Sequence, residues 1–170
     1  MELWGLRVDD LLTRLRDVDA RPLSMGDLGS GGNYESVRAD IASVLGSGES
    51  GLTDEQAVYV AEVARSIGVH LGSLAYSSSG GGKLRTCLAG AAAGEGPSNM
   101  VENIMERSLD GMSTSGYPGF GWLTSSEARF ADDLQASASS DPECATWIGI
   151  LANALAWVRV RGLDLLAIHT

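Results

Sequence analysis

The two ends of the chain decide the fold: residues 2–8 have the sequence ELWGLRV, and residues 162–168 have the sequence GLDLLAI. In the first stretch every second residue from Trp4 to Val8 is apolar, which is the period-two pattern of a strand. The second is apolar at consecutive positions, as expected for a central strand covered on both faces. We therefore expect a helix-dominated α+β fold, a single domain of 170 residues with about six helices and a small sheet formed partly by the N- and C-terminal strands.

Three helix starts carry the signature of a capping box. Thr53 is followed three residues later by Gln56, Asn99 by Glu102, and Thr124 by Glu127. In such a box each of the two side chains satisfies a backbone N–H group of the first helical turn. The boxes predict one helix that begins after Thr53, with His70 near its end, another that begins after Asn99, and a third that begins after Thr124.

Single capping residues predict two further helices. Asp9 is a candidate N-cap for the first helix of the chain. Asp141 followed by Pro142 opens the most apolar segment, because proline suits the first helical position. Gly162 is expected to end that helix in a left-handed conformation. Two glycine-rich segments, residues 77–82 and 116–122, are predicted to be loops.

The chain resembles an uncharacterised family of actinobacterial domains that are distantly similar to the YfbM-like domains. The resemblance involves residues 4–12, 59–64, 117–127 and 162–169, together with the pairs Leu45-Gly46 and Leu71-Gly72. The stretch 80–112 departs from the family pattern. The resemblance implies a one-domain α+β fold and carries over no activity and no site residues.

The charge of the chain is strongly acidic, with a formal net charge of −10. Residues 27–62 contain seven acidic residues and only one basic residue, Arg38, which gives −6 in this stretch. Such a field repels the phosphates of nucleic acids and attracts basic partners. We therefore expect no nucleic-acid partner; the charge would suit a basic protein, or would simply keep the chain soluble.

Nothing in the sequence indicates a membrane protein. No apolar stretch reaches the ~18 residues of a membrane-spanning helix, and the N-terminus carries Glu2 instead of a basic region typical of a signal peptide. The predicted location is the cytoplasm. In that compartment Cys87 and Cys144 are expected to be buried thiols, not a disulfide.

Motifs that would carry chemistry are weak. Residues 80–83, GGGK, lack the upstream glycine and the Ser or Thr after the lysine that a phosphate-binding loop needs. The two histidines, His70 and His169, have no cluster of ligand-type residues at metal-site spacing around them. A pair of His70 with Cys87 is conceivable only if the fold brings them together. We predict no metal, no cofactor and no catalytic residues.

The best candidates for binding are charged and aromatic side chains. Aromatic residues in a loop offer contact area at low entropic cost, although Phe120 and Trp122 could also pack under the next helix. The candidate binding residues are Asp40, Asp54, Glu55, Tyr117, Phe120 and Trp122.

These observations favour a non-enzymatic acidic protein-binding module, such as an inhibitor or immunity protein that neutralises a basic partner. The alternative is a small enzyme or small-molecule-binding domain with a pocket near His70 and the 116–122 aromatic loop. A homodimer through the apolar helix at residues 147–158 is a third possibility.

Overall fold

The computed structural model describes residues 1–17, 34–47, 50–76, 81–91, 100–114, 116–137 and 139–170. Helices and strands are interspersed along these segments. Their bounds are β1 Glu2–Leu6, α1 Val8–Arg16, α2 Tyr34–Ser47, β2 Ser50–Leu52, α3 Asp54–Ile67, β3 Val69–Ser73, α4 Gly81–Ala91, α5 Met100–Glu106, β4 Met112–Thr114, β5 Gly119–Leu123, a 3-10 helix Glu127–Phe130, α6 Ala131–Ala136, α7 Pro142–Arg161 and β6 Asp164–His169.

The two chain ends form the two central strands of the main sheet. The strand order is β3-β1-β6-β5, and every neighbouring pair is antiparallel. Strand β1 pairs with β6 so that Leu3 lies opposite Ala167. Strands β2 and β4 form a separate parallel pair. The helix-dominated α+β fold with a small sheet that includes both terminal strands is thus confirmed.

Side chains of β6 alternate between two apolar clusters, one on each face of the sheet. Leu166 and Ile168 belong to a cluster that contains the buried residues of α1, α2 and α3. Leu165 and Ala167 belong to a second cluster, with α4, α5, α6 and α7. The described helices therefore form one layer on each side of the sheet. Burial of each such aliphatic side chain stabilises the fold by about 1.5–3 kcal/mol relative to exposure.

Several predicted helix boundaries are confirmed. Thr53 and Gln56 make both bonds of the capping box at the start of α3, and Thr124 and Glu127 bond reciprocally before the 3-10 helix. Asp141 accepts two backbone N–H groups at the start of α7, and Gly162 ends that helix at φ 62°. Asn99, the first residue of the predicted box before α5, lies outside the described residues.

The predicted cap of α1 by Asp9 is wrong. Helix α1 begins at Val8, and the Val8 N–H donates to the Asp164 carboxylate at 3.0 Å. The same carboxylate accepts the Ser125 N–H at 3.1 Å. One acidic side chain from the last strand therefore serves as a cap supplied from a distance, which local sequence cannot indicate.

Three further assignments differ from the prediction, and strand pairing accounts for the first two. His70 lies on β3 instead of in a helix, since α3 ends at Ile67. In the predicted loop 116–122, residues 119–122 belong to β5, which pairs with β6. In the predicted loop 77–82, Gly81 and Gly82 belong to α4.

Glycine is required in β5 because α5 crosses that strand closely. A Cβ atom on Gly121 would lie 2.1 Å from the Ile104 carbonyl oxygen. That atom is helix backbone, so it cannot move aside without displacing α5.

We expect Gly121→Ala to lower the free energy of unfolding by about 3 kcal/mol, because overpacking against backbone forces the helix off the sheet. Gly149→Ala is the matched control: Gly149 lies in α7 with open space around its Cβ position. That change should raise stability by about 0.5–1 kcal/mol. Urea unfolding of the three proteins measures both effects, and equal stabilities would contradict the close α5–β5 approach.

The expectation of two free thiols is also wrong: Cys87 on α4 and Cys144 on α7 form a disulfide, with their Cα atoms 5.4 Å apart. Packing of α4 on α7 brings the two residues together across 57 positions of sequence, a proximity that spacing alone does not reveal.

The double variant C87S/C144S should lose about 2–4 kcal/mol of stability, since a disulfide that closes a long loop restricts the unfolded chain. Urea unfolding of the variant and of the oxidised and reduced protein measures this loss. Titration of thiols in the unfolded, unreduced protein is the control; two reactive thiols there would show that the bond does not form.

Candidate functional site

Parallel pairing of β2 with β4 brings two of the predicted binding segments together. Leu52 lies opposite Thr114 in this pair, so the start of α3 lies beside the chain that follows β4. A Cβ atom on Gly116 would lie 2.9 Å from Asp54 Oδ1. Asp54 therefore borders the segment that carries Tyr117, and Glu55 is the next residue in the same helical turn.

The side chains at this edge are exposed. Asp54 and Glu55 occupy the first turn of α3 and are exposed, where carboxylates are stabilised by the helix dipole. Tyr117 is 63% exposed. Within the described segments, no ion pair or hydrogen bond involves the carboxylates of Asp54 and Glu55. We call Asp54, Glu55 and Tyr117 the acidic edge.

The other three predicted residues lie elsewhere. Asp40 is exposed on α2. Phe120 is only 7% exposed and belongs to the apolar cluster of α1–α3. Trp122 is partly buried; its Nε1–H donates to the Ser108 carbonyl at 3.0 Å, and the Arg107 guanidinium lies 4.3 Å from its ring centre. Among the three aromatic residues, only Tyr117 therefore offers a free ring to a partner.

His70 and Cys87, the residues of the conceivable catalytic pair, are held in separate places. His70 lies on the exposed strand β3, with its ring 5.0 Å from that of Trp4 and its Nε2 3.1 Å from Ser73 Oγ. Cys87 forms the disulfide with Cys144 and therefore has no free thiol. Lys83 of the glycine-rich segment binds Asp141 at 2.9 Å and Glu143 at 2.5 Å.

A cavity of about 460 Å³ lies next to the acidic edge. Its walls come from the start of α4, the end of α5, β4, β5 and the last strand. The lining residues include Tyr76, Arg85, Met105, Glu106, Met112, Thr114, Gly116, Tyr117, Phe120 and His169. Two residues of the predicted aromatic segment, Tyr117 and Phe120, thus line a cavity, but the histidine among its walls is His169 instead of His70.

A hydrogen-bonded Tyr–His pair forms one wall of this cavity. The buried His169 has its Nε2 3.1 Å from the Ile104 carbonyl, which can only accept, so Nε2 carries a proton. Its Nδ1 lies 2.8 Å from the Tyr76 hydroxyl. Burial lowers the pKa of His169, which favours the neutral ring, and Nδ1 then accepts the Tyr76 O–H.

Sequence reasoning missed this pair. Tyr76 lies three residues after the end of β3, and nothing local marks it. A signal for His169 did exist, because the alternation along β6 places residues 165, 167 and 169 on one covered face of the sheet.

Metal chemistry finds no support in this region. Among the described residues, no group of three or more His, Cys, Asp or Glu side chains could hold a metal ion. Likewise, the described helices include none with both the length and the apolar character required to cross a membrane.

His169 should make stability depend on pH. Its pKa lies below the usual 6.5 in the folded protein, so the unfolded chain takes up the proton first on acidification. The free energy of unfolding should therefore fall as the pH drops below about 6.5, and level off below the lowered pKa. The lowered pKa values of the Glu2 and Glu127 carboxyls act only at more acidic pH.

Urea unfolding between pH 7.5 and 5.0 tests this expectation. In His169→Gln the slope between about pH 6.5 and 5.0 should become shallower, whatever the overall loss of stability; the part that remains comes from the Met1 amine, whose pKa burial lowers from 8.0. An unchanged slope in the variant would contradict a buried neutral His169.

In comparisons with known proteins, no protein family, no curated protein and no solved structure matches this chain. The resemblance to the actinobacterial domains stays a prediction.

Proposed function

We propose that this protein is a non-enzymatic binding module for a basic segment of a partner protein, of the inhibitor or immunity type. The observation that carries the proposal is the acidic edge, where Asp54 approaches Gly116, the residue before the exposed Tyr117, and where the Asp54 and Glu55 carboxylates have no ion-pair partner in the described chain. The net charge of −10 extends the attraction beyond contact distance.

The chemistry of the edge suits lysine and arginine. Carboxylates pair with these cations, and a tyrosine ring attracts them through its negative face. Tyrosine is also enriched among residues that dominate binding energy at interfaces. The long-range acidic field would mainly accelerate encounter with the partner.

Several arginines of the chain already form ion pairs with its own carboxylates. Arg16, Arg65, Arg85, Arg107 and Arg159 all pair with carboxylates. The acids of the edge form no such pair, and the exposed Tyr117 ring distinguishes them from other unpaired acids such as Glu102 and Asp133.

Cross-linking tests the proposal in the source cell. A photo-reactive phenylalanine analogue at position 117 should capture a basic protein, whereas the same analogue at position 160, where Val160 is 78% exposed on α7, should not. Capture at 117 should be lost in the double variant D54N/E55Q.

The matched control is E102Q/D133N, which removes the same charge from exposed acids of α5 and α6, on the other side of the sheet. With the captured protein purified, D54N/E55Q should bind at least about fivefold more weakly and the control nearly as wild type. Binding should weaken with salt. Equal losses in both variants, or the same protein captured at 117 and at 160, would contradict the acidic edge.

Location and self-association are separate proposals. The sequence favours the cytoplasm, whereas a disulfide is typical of oxidising compartments; carboxylates and tyrosine bind cations in either.

The homodimer proposed through α7 would have to use its outer face, because Trp147, Leu151 and Leu155 are buried within the chain's own core.

A further inference from the structure

The cavity beside the acidic edge contains a fixed hydrogen-bond acceptor. Tyr76 donates its hydroxyl proton to Nδ1 of the buried neutral His169. The Tyr76 Oη atom then has lone pairs left and no proton to give. Its ring is held in place by an edge-on contact with Trp147, at 6.5 Å between centroids.

The rest of the cavity lining combines apolar with polar side chains, and its charged pair is balanced. Met105, Met112 and Phe120 line it with apolar surface, and Met112 and Phe120 are almost fully buried. The charged pair in its wall, Arg85 with Glu106, is mutually neutralised by an ion pair. Tyr117 adds an exposed ring.

A cavity of about 460 Å³ that combines apolar side chains with oriented polar groups has the usual size of a small-molecule site. A charged ligand would have to compete with the exposed Arg85–Glu106 pair, whereas a neutral one leaves it intact. A ligand that lacks a hydrogen-bond donor would leave the lone pairs of the Tyr76 oxygen without a hydrogen bond.

We propose that this cavity binds a neutral aromatic small molecule that carries a hydroxyl or ring N–H group, with that group donating to Tyr76 Oη and the ring packed against Met105, Met112 and Phe120. The site is independent of the acidic edge in chemistry, since it recognises an uncharged ring instead of a basic chain.

The probe is 2-naphthol, with 2-methoxynaphthalene as the matched compound without a donor. Methionine methyl groups labelled with ¹³C report the position of binding by NMR. Met105 and Met112 line the cavity, while Met1 and Met100 are buried in the α4–α7 cluster and do not line it. Saturable shifts of the first two signals with 2-naphthol, and none of the second two, are expected.

The two compounds separate the hydrogen bond from apolar packing. 2-Naphthol should bind about fivefold to tenfold more tightly than 2-methoxynaphthalene. Tyr76→Phe should abolish this difference, while Tyr59→Phe, which changes a buried tyrosine on α3, should preserve it. A thermal melt of each variant verifies that it is folded.

Three results would overturn the proposal. One is the absence of saturable shifts at Met105 and Met112 with millimolar 2-naphthol. Another is equal affinity for the two compounds in the wild-type protein. The last is a folded Tyr76→Phe variant that still prefers 2-naphthol by the full factor.

Discussion

Pairing of β1 with β6 is the constraint on which the rest of the structure depends. It joins residues 2–6 to residues 164–169, so the first and last segments of the fold are fixed against each other at its centre. Because both strands are central, each must be covered on both faces. The two helical layers supply that cover, and the side chains of β6 alternate between them.

The same strand also organises polar groups at its two ends. At its beginning, Asp164 accepts the Val8 and Ser125 N–H groups and so ties α1 and the 124–127 turn to the sheet. Near its end, His169 bonds to the Ile104 carbonyl and to Tyr76, and forms a wall of the cavity. Strand β6 thus contributes both to the packing of the core and to the wall of the cavity.

The acidic edge and the cavity share one element, the chain from β4 to β5. Tyr117 belongs to both. It follows Gly116, which lies close to Asp54, and it also lines the cavity. Their chemistry nevertheless differs. The edge presents unpaired carboxylates to solvent, whereas the cavity presents apolar side chains and one oriented tyrosine oxygen.

Local sequence determined the features that depend on near neighbours. The capping box at Thr53 and the Asp141-Pro142 start of α7 follow from side chains within three residues of the backbone groups that they satisfy, and the Gly162 end of α7 follows from the ease with which glycine adopts a φ of 62°. The N-terminal strand followed from residue alternation, the C-terminal strand from its consecutive apolar residues, and the acidic excess from simple counting.

Tertiary structure alone decided what depends on distant partners. The Asp164 cap spans 156 positions, the Cys87–Cys144 bond spans 57, and the Tyr76–His169 pair spans 93. It also turned Gly119–Leu123 into a strand, because pairing with β6 and the close approach of α5 outweigh the glycine content. Sequence patterns describe preferences over a few residues, whereas a site forms where the fold brings separate segments within hydrogen-bonding distance.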